Sequence, residues 1–386
     1  MSVGRLLQNW LTWQTSSEFD LDFWIERSWN FVWYGKCEEC KQGNTGGDGW
    51  CNACNAKRFQ QNFKNWTSGN DDIDKFIQDI QLSAKEYYKV LEWIPYDKFY
   101  NIEYITKVGF NKIYKAKCKW IDGFITEWDN KNQKWKRWGN MDVALKIFND
   151  SDVTLEFINE VTLHHKVSDS IIGFYGITQD PETKSYIMVL DYAENGNLRN
   201  YLNKNFDKLN WKDKIGNLLN IAIGLNEIHV NELIHRNLHS GNILHNKHYA
   251  CIDDMRLCKP AVYNESENTK VYGVLPYTAP EILQGQNHTK AADIYSFGII
   301  MYEVISGLSP YHDISHNEIL VLKICKGLRP RFNIKVPQLI DHLIKKCLDA
   351  DPLKRPTALE VKMILFQFQL DDELKRLEET ELKTTN

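Results

Sequence analysis

The ten residues His235-Arg236-Asn237-Leu238-His239-Ser240-Gly241-Asn242-Ile243-Leu244 constrain this chain more than any other stretch. Eight residues rich in hydrogen-bonding groups lead into two apolar residues suited to a short strand. Asn237 sits in the middle of the polar part. A carboxylate at such a place can take a proton, whereas a neutral carboxamide has no useful basicity near neutral pH.

The stretch resembles the catalytic loop of the protein kinase family, whose pattern is H-R-D, four intervening residues and N. The single departure falls on the aspartate that accepts the substrate hydroxyl's proton, replaced here by Asn237. The resemblance therefore implies the fold and places the reaction in question.

A chain of 386 residues has room for one two-lobed domain and something small. A net charge of −4 sets up no whole-protein field for nucleic acid or an anionic membrane, so neither is expected as a partner. The longest apolar run, Phe297 to Ile305, is broken by Glu303 and too short to span a bilayer. The start, Met1-Ser2-Val3-Gly4-Arg5, lacks a long apolar core, and Ser2 excludes a myristoylation glycine. Of nine cysteines, four form two C-x-x-C pairs and five are scattered through apolar stretches. That usage fits a reducing, intracellular location, read as cytoplasmic.

Residues 1–35 form a Trp-rich leader of roughly helical spacing without strong caps. Residues 36–56 hold Cys37, Cys40, Cys51 and Cys54 around a glycine-rich segment. Four thiolates complete a tetrahedral Zn(II) shell with no open position, so a structural zinc-ribbon-like module is expected. Residues 57–98 read as a helical connector. Ser68, Gly69 and Asn70 offer a cap, and Ile73, Phe76, Ile77, Ile80, Ala84, Tyr87 and Leu91 mark one face until Pro95. Between Lys119 and Asp142 an extended edge hairpin is expected, turning at Asp129-Asn130-Lys131-Asn132.

Residues 99–367 resemble a complete protein kinase domain, an α+β fold with a small β-rich N-lobe and a large helical C-lobe. Val143-Ala144-Leu145-Lys146 matches the family's V-A-I-K, whose lysine holds the α- and β-phosphates of ATP. Its partner glutamate would be Glu160, with Glu156 the other candidate. Leu190 falls at the gatekeeper position before the hinge. In the region of D-F-G the chain reads Asp254-Met255-Arg256, so the resemblance makes Asn242 and Asp254 the Mg(II) ligands. Gly109, Ile113, Ala144, Leu190 and Leu244 would line the nucleotide. The phosphate loop departs from the family pattern, with Thr106, Val108 and Asn111 at the glycine positions. Ala279-Pro280-Glu281 is intact, and Arg355 is the expected ion-pair partner of Glu281. Val274 stands where a threonine is usual, and His239 where a lysine is usual. Tyr263, Ser266, Thr269 and Tyr272 lie in the activation segment. Residues 368–386 form a charged tail.

The loop text resembles the tyrosine-kinase-like group of Ser/Thr type, and the layout is similar to a large expanded family of fungal kinases. The favoured reading is a signalling pseudokinase or scaffold that binds ATP and Mg(II), carries structural Zn(II), acts through a protein partner or substrate, and has impaired catalysis at Lys146, Asn237 and Asp254. Two alternatives stay open: a slow but active Ser/Thr protein kinase, and a zinc-module interaction protein with a passive kinase-fold scaffold.

Overall fold

A computed structural model describes residues 35–47, 49–108, 113–148, 155–167, 171–247, 249–261 and 273–370. Residues 1–34 of the leader, Gly109, Asn111, the four activation-segment hydroxyl residues and the tail beyond Leu370 lie outside the described residues. In chain order the elements are α1 (Asn52–Asn62), α2 (Asp71–Ser83), β1 (Glu92–Trp93), β2 (Phe99–Val108), β3 (Ile113–Trp120), β4 (Phe124–Asp129), β5 (Lys134–Trp138), β6 (Met141–Phe148), α3 (Leu155–Lys166), β7 (Phe174–Gln179) and β8 (Tyr186–Asp191). The remainder is mostly helical: α4 (Leu198–Asn205), α5 (Trp211–Val230), β9 (Leu233–Ile234), β10 (Ile243–His245), β11 (Ala250–Ile252), β12 (Lys259–Pro260), α6 (Pro280–Leu283), α7 (Lys290–Ser306), α8 (Glu318–Cys325), α9 (Gln338–Cys347) and α10 (Ala358–Leu370). None of the described helices is long and apolar enough to cross a membrane.

Two compact bodies emerge from the contacts. The smaller gathers the described residues up to Lys98 with Trp120–Met141 and Tyr175–Thr178; the larger holds Phe99–Lys119, Asp142–Phe174 and everything from Gln179 onward.

In the smaller body, α2 starts where the Asn70 side chain accepts the N–H groups of Asp72 and Ile73, with three aspartates in the first turn. It buries Ile73, Ile77 and Ile80. The apolar period runs on to Leu91, yet the helix stops at Ser83. The reason is tertiary: the Ala84 carbonyl accepts from Trp50 Nε1 at 3.0 Å and Asn52 Nδ2 at 2.9 Å, and Ala84 turns extended. The chain then forms β1, parallel to β7, with Glu92 opposite Gly176. A Cβ at Gly176 would lie 2.1 Å from the Glu92 carbonyl oxygen, so only glycine allows this approach. β4 and β5 form the expected hairpin, and Asp129 Oδ1 accepts the turn N–H groups of Lys131 and Asn132. The hairpin is more than an edge ribbon. Trp50, Phe59, Ala84, Val90 and Ile125 form one buried cluster, and Trp135 of β5 packs against it.

In the larger body the strand order is β8-β6-β3-β2, with β6 antiparallel to β8. Nearly every residue of α7 from Ala292 to Ile305 is buried, as a helix apolar on all sides requires. Thr289 caps its start, and Gly307, at φ 74°, closes its end. α5 begins with a reciprocal capping box between Asn210 and Asp213 and supplies the other main wall of the core. The result is a β-rich lobe followed by a helical lobe.

Candidate active site and metal centre

The loop from His235 to Asn242 hangs on one carboxylate. Asp293, buried on the first turn of α7, accepts the N–H groups of His235 at 2.8 Å and Arg236 at 2.9 Å, and His229 Nε2–H at 3.0 Å. Burial alone would raise the Asp293 carboxyl pKa; the bond and charge of His229, with the backbone donors, hold it below the usual carboxylate range. Arg236 sits in the left-handed region at φ 70°, a conformation a non-glycine residue keeps only where its surroundings enforce it.

Asn237 is half-buried. Its N–H donates to His235 Nδ1 at 3.3 Å, and its carbonyl accepts from Asn242 Nδ2 at 3.0 Å. His239 Nδ1 accepts the Gly241 N–H at 3.0 Å, and burial lowers the imidazole pKa to about 4. The ring is therefore neutral at physiological pH, and the place usual for a lysine carries no charge. Ser240 continues into a chain of polar contacts: to the Tyr277 hydroxyl at 2.8 Å, on to Glu303 at 2.6 Å, and from Glu303 to Arg199 at 2.8 Å. Sequence reasoning used Glu303 only as a break in an apolar run. A lone carboxylate within such a helix was the available signal that it holds something.

Lys146 on β6 and Glu160 on α3 form a fully buried ion pair. Of the two candidate glutamates Glu160 makes the contact; the Glu156 side chain lies outside the described residues. Burial pushes the Lys146 ammonium pKa down, but the carboxylates of Glu160 and Asp254 outweigh it and hold the group protonated. Lys146 Nζ lies 3.7 Å from Asp254 Oδ1. Asp254 is itself left-handed, at φ 68°. Arg256 grips it with a planar fork, Nε to Oδ1 at 2.5 Å and a terminal nitrogen to Oδ2 at 2.6 Å. Met255 between them is fully buried in the helical-lobe core.

Ala144 and Leu190 face each other across β6 and β8, Leu244 lies half-buried on β10, and Ile113 opens β3. Arg355, with its side chain fully buried, meets Glu281 through two bonds of 2.6 and 2.7 Å and also donates to the carbonyls of Asp349 and Ala291. Lys146, Glu160, Asp254 and Arg256 are thus brought into one cluster, with Asn237 and Asn242 bonded to each other on the adjoining loop. An ammonium and a guanidinium beside two carboxylates can hold phosphate groups, while position 237 offers no group able to take up a proton.

The four cysteines come together in the smaller body. Cys37 and Cys40 flank a tight turn, whose ends pair through Lys36 and Gly43. The second pair lies not on another turn but at the start of α1, where Cys51 is the N-cap and Cys54 follows three residues on, on the same helical face. Sγ of Cys37 is 3.7 Å from that of Cys54, Sγ of Cys40 is 3.6 Å from that of Cys51, and all four lie within 4.8 Å of one another. A tetrahedron with metal–sulfur bonds of about 2.3 Å has edges of about 3.8 Å, close to these separations, whereas a disulfide needs about 2.05 Å. The Cys37 thiol pKa is about 7: burial would raise it, and the backbone N–H groups of Cys40 and Glu39, with the adjacent thiols, outweigh that. The cluster fits a zinc-ribbon-like module.

A β-rich lobe bearing a buried Lys–Glu pair, joined to a helical lobe with a carboxylate-anchored loop, defines a phosphotransferase fold. A family model described as protein tyrosine and serine/threonine kinase matches residues 103–365, and the chain belongs to the protein kinase family. A probable serine/threonine-protein kinase of Dictyostelium discoideum is 32% identical over 232 residues, 58% of this chain and 14% of that protein. A second from the same organism is 27% identical over 293 residues, 71% of this chain and 15% of that protein. The Dictyostelium discoideum probable serine/threonine-protein kinase roco5 is 31% identical over 237 residues, 55% of this chain and 8% of its own length. The chain thus spans about a seventh or less of the length of these curated relatives.

Proposed function

We propose that this protein binds ATP in the cleft below β6 and β8 and transfers its phosphoryl group to protein Ser/Thr hydroxyls slowly or not at all, so that it serves signalling through a protein partner. In this reading Ala144, Leu190 and Leu244 line the nucleotide. Lys146, positioned by Glu160, holds the α- and β-phosphates. Asn237 occupies the place of the proton acceptor. The observation that carries it is the pairing of an intact, fully buried Lys146–Glu160 clamp with a carboxamide at position 237. Positioning and charge stabilisation supply most of phosphoryl-transfer catalysis, which is why losing the proton acceptor leaves room for slow transfer.

The family implies Mg(II), for which the donors would be Asn242 and Asp254. Asn242 offers a suitable amide oxygen. Asp254 does not fit as it stands, because Arg256 binds both of its carboxylate oxygens. The four thiols, by contrast, fit Zn(II) in number, type and spacing. Zinc there would cross-link the turn and the start of α1, contributing fold stability rather than chemistry.

The test compares phosphate transfer to a generic protein substrate by wild type, Lys146→Met, and the double variant Asn237→Asp with Arg256→Gly. Wild type is expected near the Lys146→Met background, with the double variant faster by on the order of 10²–10⁴-fold, the usual value of general-base help. Wild-type turnover equal to that of the double variant would overturn the reading.

A further inference from the structure

The cluster around Asp254 sets two cations, Lys146 and Arg256, among the buried carboxylates of Glu160, Asp254 and Asp253. Lys146 pairs with Glu160, and Arg256 pairs with Asp254. With glycine at position 256, as in the D-F-G pattern, the same cluster would hold one ammonium against three carboxylates and carry a more negative charge that welcomes a dication. Here the compensating positive charge is part of the chain.

Geometry reinforces the balance. Mg(II) requires oxygen ligands at about 2.0–2.1 Å in octahedral array. The Arg256 fork binds both oxygens of Asp254, at 2.5 and 2.6 Å, the atoms a metal would need. The backbone on either side of Arg256 is anchored. Met255 is fully buried, Cys258 is 3% exposed, and Asp254 is fixed in its left-handed conformation. The guanidinium itself is not sealed. Its side chain is 25% exposed, and among the described residues its remaining terminal nitrogen makes no hydrogen bond. A planar guanidinium with spare donors beside an ammonium is well shaped to receive phosphate oxygens.

We propose that Arg256 stands in for the divalent cation at the nucleotide phosphates, so that this chain binds a nucleoside triphosphate without requiring Mg(II). The inference rests on the nucleotide-binding reading above and specifies how that site is charged. Asp254 then orients Arg256 instead of ligating a metal, and Lys146 and Arg256 flank the phosphates as two fixed cations.

The experiment measures ATP affinity, using ATP as its sodium salt and the thermal shift of the full chain as readout, with and without MgCl₂. Buffers are stripped of divalent ions by resin rather than by a chelator, so that the four-cysteine centre keeps its metal. The expected result is the same affinity in both buffers for wild type. In Arg256→Gly, Mg(II) should tighten binding on the order of tenfold, an ordinary strength of coupling between two ligands. Wild-type binding seen only with Mg(II) overturns the inference and leaves nucleotide binding standing. Binding in neither buffer overturns both. Should Arg256→Gly not fold, the wild-type pair of titrations alone decides the matter.

Discussion

Trp135, on the second strand of a hairpin inserted between β3 and β6, stacks on Phe59 of α1 with ring centroids 4.8 Å apart and planes 16° from parallel. Trp50, next to Cys51, also stacks on this indole, at 5.8 Å and 21°. Trp128 meets it edge-on at 5.0 Å, and the Arg58 guanidinium lies 4.6 Å from the Trp128 ring. An insertion within the kinase-like sequence is thereby built into the body of the cysteine module, which lies far earlier in the chain.

If this stack is the core of the smaller body, Trp135→Ala should cost it about 2–3 kcal/mol, toward the lower end for aromatic truncation because the ring is half-buried. Hydrogen exchange should quicken across α1 and the β4–β5 hairpin and leave α7 unchanged. Protection in α1 equal to wild type would refute the shared core.

Metal removal tests the same body from the other end. Native mass spectrometry is expected to find one Zn(II) per chain, and Cys40→Ser or Cys51→Ser to lose it. With the metal gone, the turn at Cys37–Cys40 and the start of α1 are no longer joined, and exchange there should rise as it does for Trp135→Ala. Four reduced thiols without stoichiometric metal would rule the centre out.

Much of the larger body could be read from residue order. Lys146, Glu160, Asn242, Asp254, Glu281 and Arg355 are individually unremarkable charged or polar side chains, but their order and spacing along the chain resemble one fold. The structure brings Lys146 to Glu160 and Arg355 to Glu281 as that resemblance implies. What escaped reading depended on distant partners. The end of α2 is set by Trp50 and Asn52 taking carbonyls that would otherwise have continued the helix, and nothing in the local apolar period records this. The hairpin's strands were legible from alternation, but not the aromatic faces awaiting Trp135. Arg256 was conspicuous as a charge in place of glycine. Its grip on Asp254 depends on a left-handed backbone and a side-chain conformation, neither of which a pattern of residue types encodes.

The Arg355–Glu281 pair offers a sharp stability test. Both charges are buried, the geometry is bidentate, and the guanidinium also lies 5.1 Å from the Tyr295 ring. Removing one partner leaves the other charged and desolvated, so Arg355→Ala should destabilise by about 3–5 kcal/mol in urea unfolding. A loss of about 1 kcal/mol or less, typical of exposed pairs, would mean that the carboxylate finds water or another partner.

His164 makes the pH response specific. It is fully buried on α3, and its Nε2–H donates to the Ile172 carbonyl at 2.7 Å. Its Nδ1 is buried without a hydrogen-bond partner, so a second ring proton would be stranded there. Burial lowers the imidazole pKa from 6.5 to about 4. Between those values the unfolded chain binds a proton that the folded chain refuses, so stability is fully present above about pH 6.5 and falls as the pH drops toward 4. At about 1.4 kcal/mol per pH unit, this one residue should account for about 3 kcal/mol across the window. His239 and His245 are shifted in the same direction, so the difference between proteins isolates the effect. His164→Gln, which can keep a donor toward Ile172 without titrating, should give a flatter profile of urea midpoint against pH. Parallel profiles for the two proteins would show that His164 is not the group that loses its place in acid.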